Sequence, residues 1–278
     1  MKSQTNVISK GHDDDPDILF DHKIITMPDK HTFPSHSHDM CELLYFVGGE
    51  ASYYVEGNVY SLRPGDLVFI RAAKHHMLVV NGGADYERYV TIFSRSLLPK
   101  SLYEKTKQVA EVVNFDKDSL VGEFFAAADA HFERGLLDRD EYQIFLRSMI
   151  VAVCSEFLRL AAKSELTDGL STVGKNTFHL ALMHINKNLH DIKNIDEVCR
   201  SLYITKRYLH HLFKVNLGIT PKKYMTAKRL LMAKRQMQSG KSPTEAYRIA
   251  GFTDYTTFYR NYKSYFGSPP SEHSDANA

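Results

Sequence analysis

His36, His38 and Glu42 stand within one short stretch, and His76 lies further along the same half of the chain. Three imidazoles and a carboxylate are donor types that suit a divalent transition ion. The same groups donate and accept hydrogen bonds, so they also suit a hydroxyl-rich ligand, for which Phe33, Tyr45 or Tyr53 could supply a flat apolar wall. Residue types alone leave both readings open. A second chemistry stands near the C-terminus, where Arg207 and Arg260 each offer a guanidinium able to donate two bonds to guanine O6 and N7.

The elements that must position the arginines are an internal repeat. Thr205, Leu209, Phe213, Lys214, Gly218 and Pro221 recur as Asp254, Phe258, Tyr262, Lys263, Gly267 and Pro270, each pair 49 positions apart. Thr205 and Asp254 are good N-caps, the glycines are good stops, and the apolar residues between them recur at helical spacing. Shorter segments upstream, Ile195 to Leu202 and Pro243 to Ala250, read as supporting helices, with Gly251 supplying a turn. This doubled pattern over roughly the last hundred residues resembles the tandem helix-turn-helix of the AraC/XylS family of bacterial transcription regulators. Within Thr220 to Gln238 the spacing predicts one long connecting helix with Pro221 at its first position. Its eighteen or so residues would span ~27 Å, enough to set two reading helices in successive major grooves ~34 Å apart.

The resemblance implies double-stranded DNA as a partner. Arg207 and Arg260 are the expected base readers, joined by His210, His211, Tyr255 and Thr256 at positions where the family contacts bases. Lys206, Lys214, Lys222 and Lys263 are expected on phosphates. Charge supports this placement. Residues 171–278 hold 17 Lys+Arg against 7 Asp+Glu, net +10, and residues 1–170 hold 18 against 26, net −8. A basic module releases counterions from DNA, whereas an acidic one is repelled.

From Ile18 to Phe93, short β-rich runs (Glu42 to Val47, Ser52 to Val55, Leu67 to Ile70, Tyr89 to Phe93) alternate with Gly- and Pro-containing turns. This predicts a small antiparallel sandwich or barrel. His36, His38, Glu42 and Gly49 stand as H-x-H-x3-E-x6-G, which resembles the first motif of the cupins. Pro64-Gly65-Asp66 followed by His76 resembles the second, with His75 beside it. The AraC/XylS resemblance implies a cupin-like sensor of sugars or other small effectors. The expected effector site is therefore His36, His38, Glu42, His76 and Tyr45, with no metal, no cofactor and no catalytic residue.

Residues 97–165 turn helical. Leu146, Ile150, Val153, Phe157 and Leu160 form a seam at steps of four and three, which fits either packing on the chain's own sheets or pairing with a second copy. In the resembled family this region pairs subunits. The expected fold is multidomain: a mobile arm (1–17), a cupin-like ligand-sensing β-barrel (18–96), dimerisation helices (97–165), a linker (166–176) and an all-α tandem helix-turn-helix domain (177–274).

The scattered Cys41, Cys154 and Cys199 suggest neither a disulfide framework nor a zinc finger, and no stretch approaches the ~20 apolar residues of a membrane span. These features predict a cytoplasmic protein, and the AraC/XylS resemblance implies a homodimeric, effector-responsive regulator that activates by recruiting RNA polymerase and is not an enzyme. Two alternatives remain. One is a metal-dependent cupin enzyme using His36, His38, Glu42 and His76. The other is a ligand-free regulator whose barrel is a scaffold.

Overall fold

Alternating burial in β2 (Ile18–Ile25) and β5 (Ala51–Val55) marks strands with one face on a core, whereas β4 (Cys41–Gly48) and β7 (Asp66–Ile70) are buried almost throughout. Strands buried on both faces must sit inside a sheet covered from both sides. A computed structural model of the chain shows that arrangement. It describes residues 7–56, 58–115, 119–167 and 177–273, and divides the chain into two units, residues 1–172 and 173–278.

In the first unit the remaining strands are β1 (Val7–Asp15), β3 (His31–His36), β6 (Asn58–Leu62), β8 (His76–Val80), β9 (Tyr86–Phe93) and β10 (Val112–Asn114). A larger sheet runs β1-β2-β9-β4-β7-β10 and a smaller one β3-β8-β5-β6, with every pairing antiparallel. Leu44, Phe46, Val68, Ile70, Tyr86 and Val90 from the larger sheet share one core with Tyr53, Val55, Leu78 and Val80 from the smaller. The opposite face of the larger sheet, carrying Cys41, Leu43, Tyr45, Phe69 and Phe93, packs on α1 (Lys100–Thr106), α2 (Leu120–Arg134) and α3 (Arg139–Thr167).

Three expectations change here. The proposed mobile arm is a strand over residues 7–15: β1 pairs with β2 from Val7↔Ile25 onward, and Asp15 takes a 2.7 Å ion pair from Arg147 of α3. Residues 1–6 of that arm, the turn residue Gly57 and residues 168–176 of the linker lie outside the described residues. The seam is filled from within its own unit, since Leu146, Ile150, Val153 and Phe157 are buried with the sheet, and Phe157 meets Phe69 at 5.7 Å between ring centroids. It is therefore not an exposed pairing face. The helical stretch also contains β10, which lies against β7 because Val112 and Val113 extend the sheet by three residues.

The second unit is helical: α4 (Thr177–Lys187), α5 (Ile195–Leu202), α6 (Lys206–Leu217), α7 (Pro221–Gln238), α8 (Pro243–Ile249) and α9 (Tyr255–Phe266). Side chains of Asn194, Thr205, Thr220, Ser242 and Asp254 each accept a backbone N–H from the first turn of α5 to α9, satisfying donors that the helix itself leaves orphaned. α6 and α9 both end at a left-handed glycine, Gly218 or Gly267. Gly251 is required for a different reason. Its φ is +81°, and a Cβ there would lie 2.5 Å from the His190 carbonyl oxygen, so only glycine lets the α8–α9 turn approach the loop after α4. Arg229 of α7 fixes that loop by donating to the Leu189 and Ile192 carbonyls.

Candidate functional site

Between the two sheets, His36, His38, Glu42 and His76 each offer a ligand atom within 4.8 Å of the others. A bulge puts His36 there. In the β3–β8 ladder Phe33 opposes Leu78 and His36 opposes His76, so β3 carries one extra residue between them. Without it, the odd spacing of 33 and 36 would send the two side chains to opposite faces; bulges re-aim side chains in this way. Glu42 points inward from β4 on the same face as Leu44 and Phe46. His75, next to His76, is outside the cluster.

Tyr45 is not in the site. It lies three residues from Glu42 on one strand, an odd offset that turns it to the opposite face, where it stacks on Phe125 of α2 at 5.3 Å. Tyr53 takes the position instead. Its hydroxyl donates to Glu42 Oε1 at 2.9 Å, and its ring stacks near His76.

The hydrogen bonds set the tautomers. His38 Nδ1 lies 2.9 Å from the Met40 carbonyl and His76 Nδ1 lies 2.9 Å from the Lys74 carbonyl. Because a carbonyl oxygen only accepts, both Nδ1 atoms carry hydrogen, leaving Nε2 of each ring aimed at Glu42 Oε2 at 3.3 Å. The buried His76 Nε2 has no hydrogen-bond partner of suitable geometry. Burial works to raise the Glu42 pKa, but the charge of His76, the hydrogen bond from His38 and the charge of His38 outweigh it and hold the carboxyl well below its ordinary value. Burial likewise works to lower the His76 pKa, and Glu42 reverses that effect so that the net shift is upward. Three nitrogens and one oxygen converging on a point, with the far nitrogens of His38 and His76 anchored on backbone carbonyls, fit a divalent transition ion.

In the second unit, Leu209 and Phe213 of α6 and Phe258 and Tyr262 of α9 face the core. Arg207, His211 and Lys214 on α6 are exposed and His210 is half-buried; Tyr255, Thr256, Arg260 and Lys263 on α9 are exposed. Lys222, near the start of α7, is exposed as well. Lys206 is held by Asp196 at 2.8 Å, and Lys214 donates to the Gly218 carbonyl at the helix end. The structure thus places every expected DNA-contacting residue on the surface or half-buried at it.

Tyr86 and Arg88 belong to no motif, and residue type did not single them out. These residues of β9 have inward-facing side chains, and Tyr86 Oη and Arg88 Nε are both buried without a hydrogen-bond partner. Their signal was the alternation of Tyr86, Arg88 and Val90 with the outward Tyr89 and Phe93.

Two family profiles match separate parts of the chain: an AraC-like ligand binding domain over residues 23–146 and a helix-turn-helix domain over residues 198–276. The combination defines a DNA-binding transcription regulator with a ligand-binding domain. The HTH-type transcriptional activator RhaS of Shigella sonnei is 25% identical over 254 residues, covering 86% of this chain and 87% of that protein. The raffinose operon transcriptional regulatory protein RafR of Pediococcus pentosaceus is 30% identical over 95 residues, about a third (34%) of each chain. Among solved structures, the AraC-like transcriptional activator CuxR matches with a TM-score of 0.45 at 15% identity, covering 89% of this chain and 87% of its own. ToxT of Vibrio cholerae matches with a TM-score of 0.39 at 12% identity, covering 94% of this chain and 98% of its own. The chain belongs to the AraC family of transcription regulators, with an N-terminal sensor domain. Among the described residues no helix is long and apolar enough to cross a membrane.

Proposed function

We propose that the chain is an effector-responsive transcription activator that reads DNA through two helix-turn-helix units, α5–α6 and α8–α9, and acts as a homodimer that recruits RNA polymerase. The carrying observation is the match between α6 and α9: twelve residues each, capped by Thr205 and Asp254, closed by Gly218 and Gly267, with an exposed arginine and lysine on each. Arg207 and Arg260 read bases, with His210, His211, Tyr255 and Thr256 beside them. Lys214, Lys222 and Lys263 hold phosphates, and Lys206 joins them on exchanging Asp196 for a phosphate. Binding of the full chain to operators mutated base by base tests this. Arg260→Ala or Arg207→Ala costs about 1–3 kcal/mol and relaxes choice at one base, whereas Lys263→Ala weakens all sequences alike. Uniform loss in the Arg260 variant would remove it from the base readers.

The effector site is the cluster of His36, His38, Glu42 and His76, with Tyr53 in place of Tyr45. RafR is named for a raffinose operon, which supports a sugar-like, hydroxyl-rich effector. The cluster would hold a divalent transition ion, which would supply a Lewis-acid position for an effector oxygen. The residues themselves fix the ring orientations and keep Glu42 ionised. Metal analysis of protein purified without chelator is expected to find about one equivalent, lost in His38→Ala. Metal-free wild type that still binds effector would instead make the imidazoles direct hydrogen-bond partners.

A further inference from the structure

The inner face of the larger sheet carries a second polar group that the His/Glu cluster does not use. Lys23 of β2 and Arg88 of β9 are direct cross-strand partners. Like charges placed opposite one another destabilise a sheet. Both cations lie against the Phe33 ring, Lys23 Nζ at 5.4 Å and Arg88 Cζ at 5.2 Å from its centroid. Among the described residues no carboxylate pairs with either one. Two residues along β9, Tyr86 is fully buried with its hydroxyl unpartnered, and Arg88 Nε is buried and unpartnered as well. Buried donors in a folded protein are normally satisfied, so the two unpartnered donors of Tyr86 and Arg88, beside the half-buried Lys23 ammonium, point to an acceptor that arrives from outside. Lys23, Arg88 and Phe33 are half-buried, so solvent reaches this group.

The position relative to the cluster sets the size of the visitor. Phe33, Leu78 and Tyr53 stand side by side across β3, β8 and β5. Arg88 covers Phe33 at one end of this row, and at the other end Tyr53 donates to Glu42. Two strand spacings separate the ends, roughly 10 Å. That is the reach of a hexose-sized molecule with a bond at each end.

We infer that the effector is a polyhydroxylated small-molecule anion, a sugar acid or sugar phosphate, whose charged group is taken by Arg88, Lys23 and Tyr86 while its hydroxyls face the His36, His38, Glu42 and His76 cluster. The inference rests on the reading of that cluster as the effector site. Guanidinium and phenol donors suit either oxyanion, and charge-assisted bonds in a partly dry site are the strong ones.

The test uses the full chain in titration calorimetry and thermal unfolding. The probes are glucose and galactose, the matching gluconate, glucuronate and galacturonate, and glucose 6-phosphate. At least one anion is expected to bind roughly tenfold or more tightly than its neutral parent and to raise Tm by mass action. Carboxylate and phosphate arms identify which oxyanion is taken. Arg88→Gln and Tyr86→Phe are expected to bring the anion down to the neutral sugar's affinity. Without ligand, Arg88→Met is expected to keep or raise Tm, since it removes a buried donor that lacks an acceptor. Neutral sugars binding as well as every anion, no anion binding at all, or unchanged anion affinity in Arg88→Gln would each overturn the inference. His36→Ala and Glu42→Ala separate the two readings. If they leave an Arg88-dependent anion bound at full affinity, the cluster reading fails and the anion subsite stands.

Discussion

Tyr45 and Tyr53 show how one residue's place on a strand decides its chemistry. Both are aromatic, both lie close to Glu42 in sequence, and residue type does not separate them. Parity places Tyr45 on the helix-covered face, and strand pairing brings Tyr53 over the cluster, where its hydroxyl donates to Glu42. Glu42 in turn helps to push the Tyr53 pKa well above its ordinary value, after the larger effect of burial. Tyr53→Phe leaves one Glu42 oxygen short of a donor and is expected to cost about 1–3 kcal/mol of stability, together with weaker effector or metal binding. Tyr45→Phe is expected to leave binding unchanged, since it retains the ring that stacks on Phe125. Titrating both variants alongside thermal unfolding checks the pair, and a binding loss confined to Tyr45→Phe would reverse the assignment.

At the scale of elements, legibility followed the range of the interaction. Caps and stops are local, so the limits expected for α5, α6, α7 and α9 agree with the structure to within a residue, and Thr205, Thr220 and Asp254 cap as their types suggest. Strand β1 was not legible, because its polar stretch KGHDDD is held by pairing with β2 rather than by its own apolar pattern. The motif spacing of His36, His38, Glu42 and His76 did announce the cluster, but the bulge that turns the exposed His36 toward His76 depends on β8 and is not written in β3 alone. Gly251 was legible as a turn, yet the contact that makes it irreplaceable comes from His190, far away in the chain. Gly251→Ala is therefore expected to cost about 1–3 kcal/mol from backbone strain alone, with the clash on the His190 carbonyl adding to it. Thermal unfolding measures the loss, and an unchanged Tm would mean that the loop after α4 yields freely.

For the whole molecule, the filled seam of α3 changes where a second copy could bind. Leu146, Ile150, Val153 and Phe157 are occupied by the chain's own sheet, so pairing through this helix must use its other side. That side carries Ile144, 64% exposed, followed at helical spacing by Ser148, Val151 and Ser155, of which the two serines are exposed and Val151 is half-buried. Small side chains around a projecting isoleucine allow two helices to approach closely, and a symmetric pair would bury each such feature twice. A dimer also gives the modest DNA contacts of one chain the benefit of a second set held nearby. Ile144→Glu is expected to convert the proposed dimer to monomer in analytical ultracentrifugation and to weaken operator binding, while leaving Tm of the monomer nearly unchanged because the residue makes little contact with its own core. A variant that remained dimeric at the same concentration would exclude this side of α3 from the interface.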